Sequence, residues 1–324
     1  MTHVFLIGSG RSGTSFIQRI FDAHRDTFCL HEPDIRLRTN DPSYYPDPDI
    51  FAQKSDIVRG YVDKLKAHHI LRAVQKRPAF SKSYREPLAH TLREALISAM
   101  IAAEQTIGKF VSVGDWSVPD MVQTPPAHIV MKSVSMVGRI PIIADACAHM
   151  KVVHIMRHPC AVAASRQRGI ALGKMPRIHI FDDQLDLPMA REHSLTRAKV
   201  DAMDDWERAA WQWVIVNDFA MTHSEGRANV RPLLYDKLCD DVFGESAALL
   251  EWCGMALDPQ VEDYLKTVMA TQKDSNRYHG LIRNPSIAAN KWRDTVAKDD
   301  AAKVMDIVTL SKAGGCFAEW DRER

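Results

Sequence analysis

The sequence predicts an α/β fold, a parallel β-sheet of about five strands flanked by helices, with a helical insertion at about residues 36–125. Three observations predict it. Short apolar runs alternate with segments of helical period. Those runs are apolar at successive positions, as strands buried on both faces are. Each is followed by residues of binding chemistry, and ligands of open α/β sheets gather outside the carboxyl ends of the strands. Residues 1–324 are read as one domain, long enough to bury a sizeable core.

Val4–Ile7 is the first strand, stopped by Gly8; Ser15–Ala23 follows with Phe16, Ile20, Phe21 and Ala23 at helical spacing. Phe28–Leu30 is the second strand. It ends at His31-Glu32-Pro33, where the proline biases Glu32 toward an extended backbone. Residues 36–50 are rich in Asp, Pro, Asn and Tyr and read as a loop. Ile50–Gln75 and Glu86–Ile107 are amphipathic and helical, and because they interrupt the alternation they form the inserted layer. Ala127–Met131 is a third strand, with a helix around Ile140–His149. Val152–Met156 is the clearest buried strand, with a helix from about Ala161 to Gln167. Gly169–His193 reads as loop, and Leu195–Thr222 as one long helix carrying Trp206, Trp211 and Trp213 as core residues. Asn229–Leu234 is the fifth strand. The remainder is helical apart from an irregular stretch, Ser275–Lys291. Gly8, Glu32, Lys132, Arg157 and Tyr235 all follow strands, so they are expected to meet at one edge of the sheet.

With 42 basic and 41 acidic residues the net charge is +1, which argues against a nucleic-acid binder and makes any anion site a local one. The chain opens on a strand, with no charged and apolar leader, and no apolar run approaches bilayer length. A cytoplasmic protein without a transmembrane segment is therefore expected. The six cysteines lie far apart and read as reduced, mostly buried thiols. No metal constellation is seen. A homo-oligomer is compatible with the sequence.

The segment Gly8-Ser9-Gly10-Arg11-Ser12-Gly13-Thr14-Ser15 has three readings. As a P-loop it keeps Gly8 and Gly13, but Thr14 stands in place of the lysine that reaches β- and γ-phosphates, which argues against an NTPase. As a dinucleotide turn it fits G-x-G-x-x-G, with Glu32 about 20 residues on as the ribose acid. That reading makes the chain an NAD(P)-dependent oxidoreductase. Arg11, a long charged residue in a turn that should hug a pyrophosphate, argues against it. As a cradle for a compact tetrahedral anion it uses Gly10, Arg11, Ser12, Gly13, Thr14 and Ser15 together: converging N–H groups, a guanidinium and two hydroxyls at a helix start. A second segment, Val152–Gly169, delivers Arg157 at a strand end, Pro159 at a helix start and Ser165 eight residues past the arginine.

Together the two segments resemble the nucleotide-dependent sulfotransferases, in a P-loop-like fold. GSGRSGTS resembles that family's 5′-phosphosulfate loop, and RHPCAVAAS its 3′-phosphate motif, with His158 and Cys160 in place of the common acidic and basic residues. Arg11, where the cytosolic phenol and steroid enzymes usually carry lysine, sets the chain nearer the carbohydrate and tyrosylprotein branch. Glu32-Pro33, Met131-Lys132-Ser133, Leu234-Tyr235-Asp236-Lys237-Leu238 and Asn290-Lys291-Trp292-Arg293 match further family segments. Residues of about 36–125 and 170–193 match nothing.

The resemblance implies 3′-phosphoadenosine 5′-phosphosulfate (PAPS) as co-substrate, no metal, and sulfuryl transfer to the hydroxyl of a small-molecule, lipid or glycan acceptor. It implies donor contacts from the loop, Arg157, Ser165, Tyr235, Lys291, Trp292 and Arg293, and charge stabilisation by Arg11 and Lys132. Glu32 is the first candidate for the base, expected to face the donor from the neighbouring strand, if burial raises its pKa; His31 is the second and Asp115 the third. Arg139, Ser275 and Arg283 are weaker anion-site candidates. A non-catalytic nucleotide- or sulfate-binding module is a further reading, against which Glu32 and Lys132 argue.

Overall fold

The computed structural model describes residues 1–108, 110–271 and 284–322. The order is β1 (Thr2–Gly8), α1 (Thr14–Ala23), β2 (Thr27–His31), α2 (Phe51–Lys66), α3 (Leu71–Val74), α4 (Pro87–Ile107) and β3 (His128–Ser133). Then come α5 (Ile140–Ala146), β4 (Lys151–Met156), α6 (Pro159–Ala171), α7 (Asp182–Leu185), α8 (Pro188–Glu192), α9 (Arg197–Ala202), α10 (Asp205–Ser224) and β5 (Val230–Leu234). The chain closes with α11 (Tyr235–Asp240), α12 (Val242–Trp252), α13 (Pro259–Met269), α14 (Pro285–Asn290), α15 (Trp292–Thr295), α16 (Lys298–Val308) and α17 (Lys312–Arg322).

The five strands form one parallel sheet in the order β2-β3-β1-β4-β5. Alternate residues of β1 serve opposite faces. Phe5 and Ile7 pack with α2 and α5, while Val4 and Leu6 pack with α1, α12 and α13. All four are fully buried, which is why β1 reads as a continuous apolar run. A third apolar cluster, built around Trp213 and Phe317, joins α6 to α10, α16 and α17 beside the sheet.

Each predicted strand is present, and the differences have local causes. The single helix expected over Leu195–Thr222 is two. Asp204 caps α10 by accepting the N–H groups of Trp206 and Glu207, and Glu207 accepts the N–H of Asp204 in return, so the chain must break there. Ile50–Gln75 is likewise divided, into α2 and α3. Gly169–His193 is not all loop: α6 runs on to Ala171, and α7 and α8 follow. Within Ser275–Lys291, Asn284 caps α14 through the N–H groups of Ser286 and Ile287. Ser275 and Arg283 lie outside the described residues. The insertion fills the β2–β3 crossover, where α3, α4 and the 113–118 segment share a small core of Leu71, Ile97, Met100 and Val113.

The strand order overturns two expectations. A dinucleotide fold sets the strand bearing the ribose acid directly beside the first strand. Here β3 lies between β2 and β1, so the end of β2 is two strands from the loop. The oxidoreductase reading loses its acid. Glu32 also does not face the loop from an adjacent strand; Lys132, on β3, stands between.

Candidate active site

The carboxyl ends of the strands open into one cleft of about 750 Å³. Among the described residues its walls carry six cationic side chains, Arg11, Lys76, Lys132, Arg157, Arg168 and Lys291, against one carboxylate, Glu32. In a chain of net charge +1 this is a local excess of positive charge. That suits a ligand with several anionic groups.

The loop after β1 is shaped by two left-handed residues, Arg11 at φ 78° and Gly13 at φ 89°. For Arg11 this conformation is strained. The twist turns its side chain across the cleft, where Nε donates to Ser165 Oγ at 2.8 Å. The two anion motifs, 154 residues apart, are therefore in direct contact. Gly13 has a second constraint: a Cβ there would sit 2.2 Å from the Tyr235 ring. Gly13→Ala should cost about 2–5 kcal/mol, from the left-handed backbone and the displaced ring. Denaturant midpoints measure this, and a variant as stable as the parent would mean that the ring is not fixed against the loop.

Beyond Gly13, α1 begins with no side-chain cap, so its first N–H groups and the dipole are directed at the cleft, beside Thr14 and Ser15. Ser12 differs from expectation. Its N–H donates to the Ser9 carbonyl at 3.1 Å and its Oγ is buried under the loop, so it shapes the cradle and does not line it.

Arg157 is held from three sides. Its carbonyl accepts from Trp213 Nε1 at 3.0 Å, its Nη2 donates to the Ala288 carbonyl at 2.6 Å, and its guanidinium lies 5.2 Å over the Tyr235 ring. Its Nε is buried with no hydrogen-bond partner among the described residues, which is uncommon for a buried donor. Tyr235 packs against Gly13 and edge-on to Phe16 while presenting an edge to the cleft. Asp236 accepts the His158 N–H at 2.6 Å; burial, partly offset by Arg157, raises its pKa to about 6. Trp292 stacks on His158 at 4.2 Å and lines the cleft with Lys291. Arg293 lies over the Trp292 ring at 4.8 Å, outside the lining, which departs from the expected donor contact.

On the other side of the loop, β3 and the residue after β2 present an ion pair. Lys132 Nζ donates to Glu32 Oε1, with the lysine side chain 2% exposed and the glutamate 17%. Burial lowers the Lys132 pKa, while the Glu32 charge and hydrogen bond oppose that shift. The Glu32 N–H donates to the Lys132 carbonyl at 2.7 Å, and Glu32 sits at φ 48°, a second strained residue in the cleft where an extended backbone was expected. His31 donates from Nδ1 to Gln18 Oε1 at 2.7 Å, leaving Nε2 3.6 Å from Glu32. Burial and the charge of Lys132 push its pKa well below the ordinary value, so the ring is neutral.

Other candidates are drawn away from the cleft. Asp115 accepts from Arg36 at 2.9 Å and Arg72 at 3.2 Å, holds the insertion together and lies outside the cleft lining. Arg139 donates to the carbonyls of Thr39, Pro42 and Ser43, fastening the 39–43 loop. Trp211 and Trp213 are core as expected, but Trp206 reaches the cleft wall. Lys76, Gln167 and Arg168 line the cleft without having been singled out. Arg168 continues the helical face of Ser165 at i+3, a spacing that shows in the sequence; for Gln167 and Lys76 no such local signal exists.

Comparison with known proteins agrees with this geometry. A family profile described as "Sulfotransferase family" matches residues 3–259. Mouse carbohydrate sulfotransferase 5 is 20% identical, over 94% of this chain and 78% of its own length. Human carbohydrate sulfotransferase 6 is 22% identical, again over 94% and 78%. Among solved structures, the sulfotransferase domain of the Synechococcus PCC 7002 olefin synthase superposes with a TM-score of 0.40 at 14% identity, covering 94% of this chain and 93% of that domain. A mouse sulfotransferase complexed with PAP gives a TM-score of 0.43 at 9% identity, covering 98% and 89%.

Proposed function

The chain belongs to the sulfotransferase family and transfers sulfuryl groups, and we propose from this that its donor is PAPS and its acceptor the hydroxyl of a carbohydrate. The observation that carries the donor reading is the Arg11–Ser165 contact, which fuses the loop and the Arg157 segment into one site with two anion positions. The loop N–H groups, Thr14 and Ser15 would hold the 5′-phosphosulfate; Arg157, with its unpartnered Nε, and Ser165 would hold the 3′-phosphate. The relatives named carbohydrate sulfotransferases support a glycan acceptor.

In the reaction the acceptor oxygen attacks sulfur, the bond from sulfur to the bridging phosphate oxygen breaks, and adenosine 3′,5′-bisphosphate leaves. The hydroxyl proton passes to Glu32. Lys132 and Arg11 face the bridging oxygen as it gains charge, and the sheet edge fixes them before the donor binds.

Adenosine 3′,5′-bisphosphate at a hundredfold excess over its Kd should stabilise the protein by about 2.7 kcal/mol, several degrees in Tm. Adenosine 5′-monophosphate and NAD should do much less. Equal shifts for all three nucleotides would remove the donor assignment.

A further inference from the structure

Lys76 lines the cleft and has no part in the donor scheme. It follows α3, which packs on β2 at the edge of the sheet. The approach is fixed by backbone. Ile70 pairs antiparallel with Ser117, the Leu71 N–H donates to the Trp116 carbonyl at 2.9 Å, and the Val118 N–H donates to the His69 carbonyl at 2.8 Å. The insertion thus presents Lys76 to the cleft from a held segment rather than a free loop.

Strand order says which part of the cleft it serves. Across the sheet edge the sequence is Lys76 beside β2, Glu32 at the end of β2, Lys132 on β3, the loop after β1, Arg157 after β4 and Tyr235 after β5. The two donor anion positions lie on the β1–β4 side. Lys76 lies on the opposite flank of the Glu32–Lys132 pair, where the attacking hydroxyl must stand. The side chain is half-buried and makes no hydrogen bond or ion pair among the described residues. Glu32 is already engaged by Lys132, and the like charges of Lys132 and Arg19 are within electrostatic reach. Burial, Lys132 and Arg19 lower the Lys76 pKa, and the charge of Glu32 opposes that shift in part. A desolvated cation with no partner is costly, and an anion entering the cleft offsets that cost.

We propose that Lys76 selects an acceptor bearing a carboxylate or sulfate group close to the accepting hydroxyl. This rests on the sulfotransferase reading above and adds the acceptor's charge to it. A neutral sugar would leave the ammonium unpaired beside the reacting pair, whereas an acidic sugar completes it and is anchored by it.

The test compares a neutral N-acetylhexosamine–hexose disaccharide with its N-acetylhexosamine–hexuronate counterpart as acceptors for PAPS. The wild-type kcat/KM should favour the uronate by about tenfold, and the preference should shrink as salt rises. Lys76→Met should bring the ratio to within about twofold, chiefly through KM, while Lys76→Arg retains it. Unchanged affinity of Lys76→Met for adenosine 3′,5′-bisphosphate shows that the variant is folded. Turnover of the neutral disaccharide as fast as the uronate, or Lys76→Met slowing both alike, overturns the proposal, as does a PAPS-dependent enzyme that sulfates no anionic acceptor. Failure to bind the bisphosphate at all overturns instead the donor reading on which the proposal rests.

Discussion

Glu32→Gln should lower kcat by about a hundredfold to ten-thousandfold, the range for a lost general base, while affinity for adenosine 3′,5′-bisphosphate stays near the parent value. The separation follows from strand order. Glu32 ends β2, two strands from the phosphate loop, and touches the donor site only through Lys132. Gln keeps the volume and still accepts a hydrogen bond from Nζ, so the cleft should not collapse. What it loses is the capacity to take the acceptor proton. His31 is expected not to replace it, because its Nδ1 is committed to Gln18 and its Nε2 lies 3.6 Å from Glu32. Single-turnover kinetics with saturating PAPS measure the chemical step directly. Full activity in the variant would remove Glu32 from the base role.

The parts of this site that were legible in the sequence are those written locally. Three glycines, an arginine and four hydroxyls in eight residues after a strand favour N–H groups crowded round an anion, and Arg157-His158-Pro159 marks a strand passing into a helix. The strands were legible because both faces are buried, which removes polar residues from them. What was not legible depends on which strands lie side by side. Nothing in residues 27–32 says that β3 will insert beside β1, so Glu32 was set one strand too near the loop. Lys76 was invisible for the same reason: its neighbours come from β2, β3 and α1. Asp115 and Arg139 are acids and bases like any other until their partners, Arg36 and Arg72 for one and the 39–43 carbonyls for the other, are seen. The break before α10 was legible, because Asp204-Asp205-Trp206-Glu207 is a capping box. The three tryptophans drew that stretch into one apolar helix instead.

Lys132→Met should cost about a hundredfold to a thousandfold in kcat, the usual effect of removing one donor from a developing oxyanion. Two roles contribute to the loss. In the proposed mechanism Lys132, on β3 between β1 and β2, would stabilise the bridging oxygen, and it also holds Glu32, whose side chain is 17% exposed and sits on a strained backbone. A double variant separates them. If the two residues worked independently, Glu32→Gln with Lys132→Met would multiply the single losses. Because they form one ion pair at the reacting centre, the double variant should fall no more than about tenfold below the worse single one. Met fills the volume of a lysine stem in a position only 2% exposed, so the fold should hold, but it leaves the Glu32 carboxylate, 17% exposed, without its ion-pair partner. The single variant is therefore expected to fall in denaturant midpoint, and the double variant, which removes both charges, to recover most of that loss while turnover stays low. Turnover that recovered together with stability would mean that the lysine serves the fold rather than the reaction.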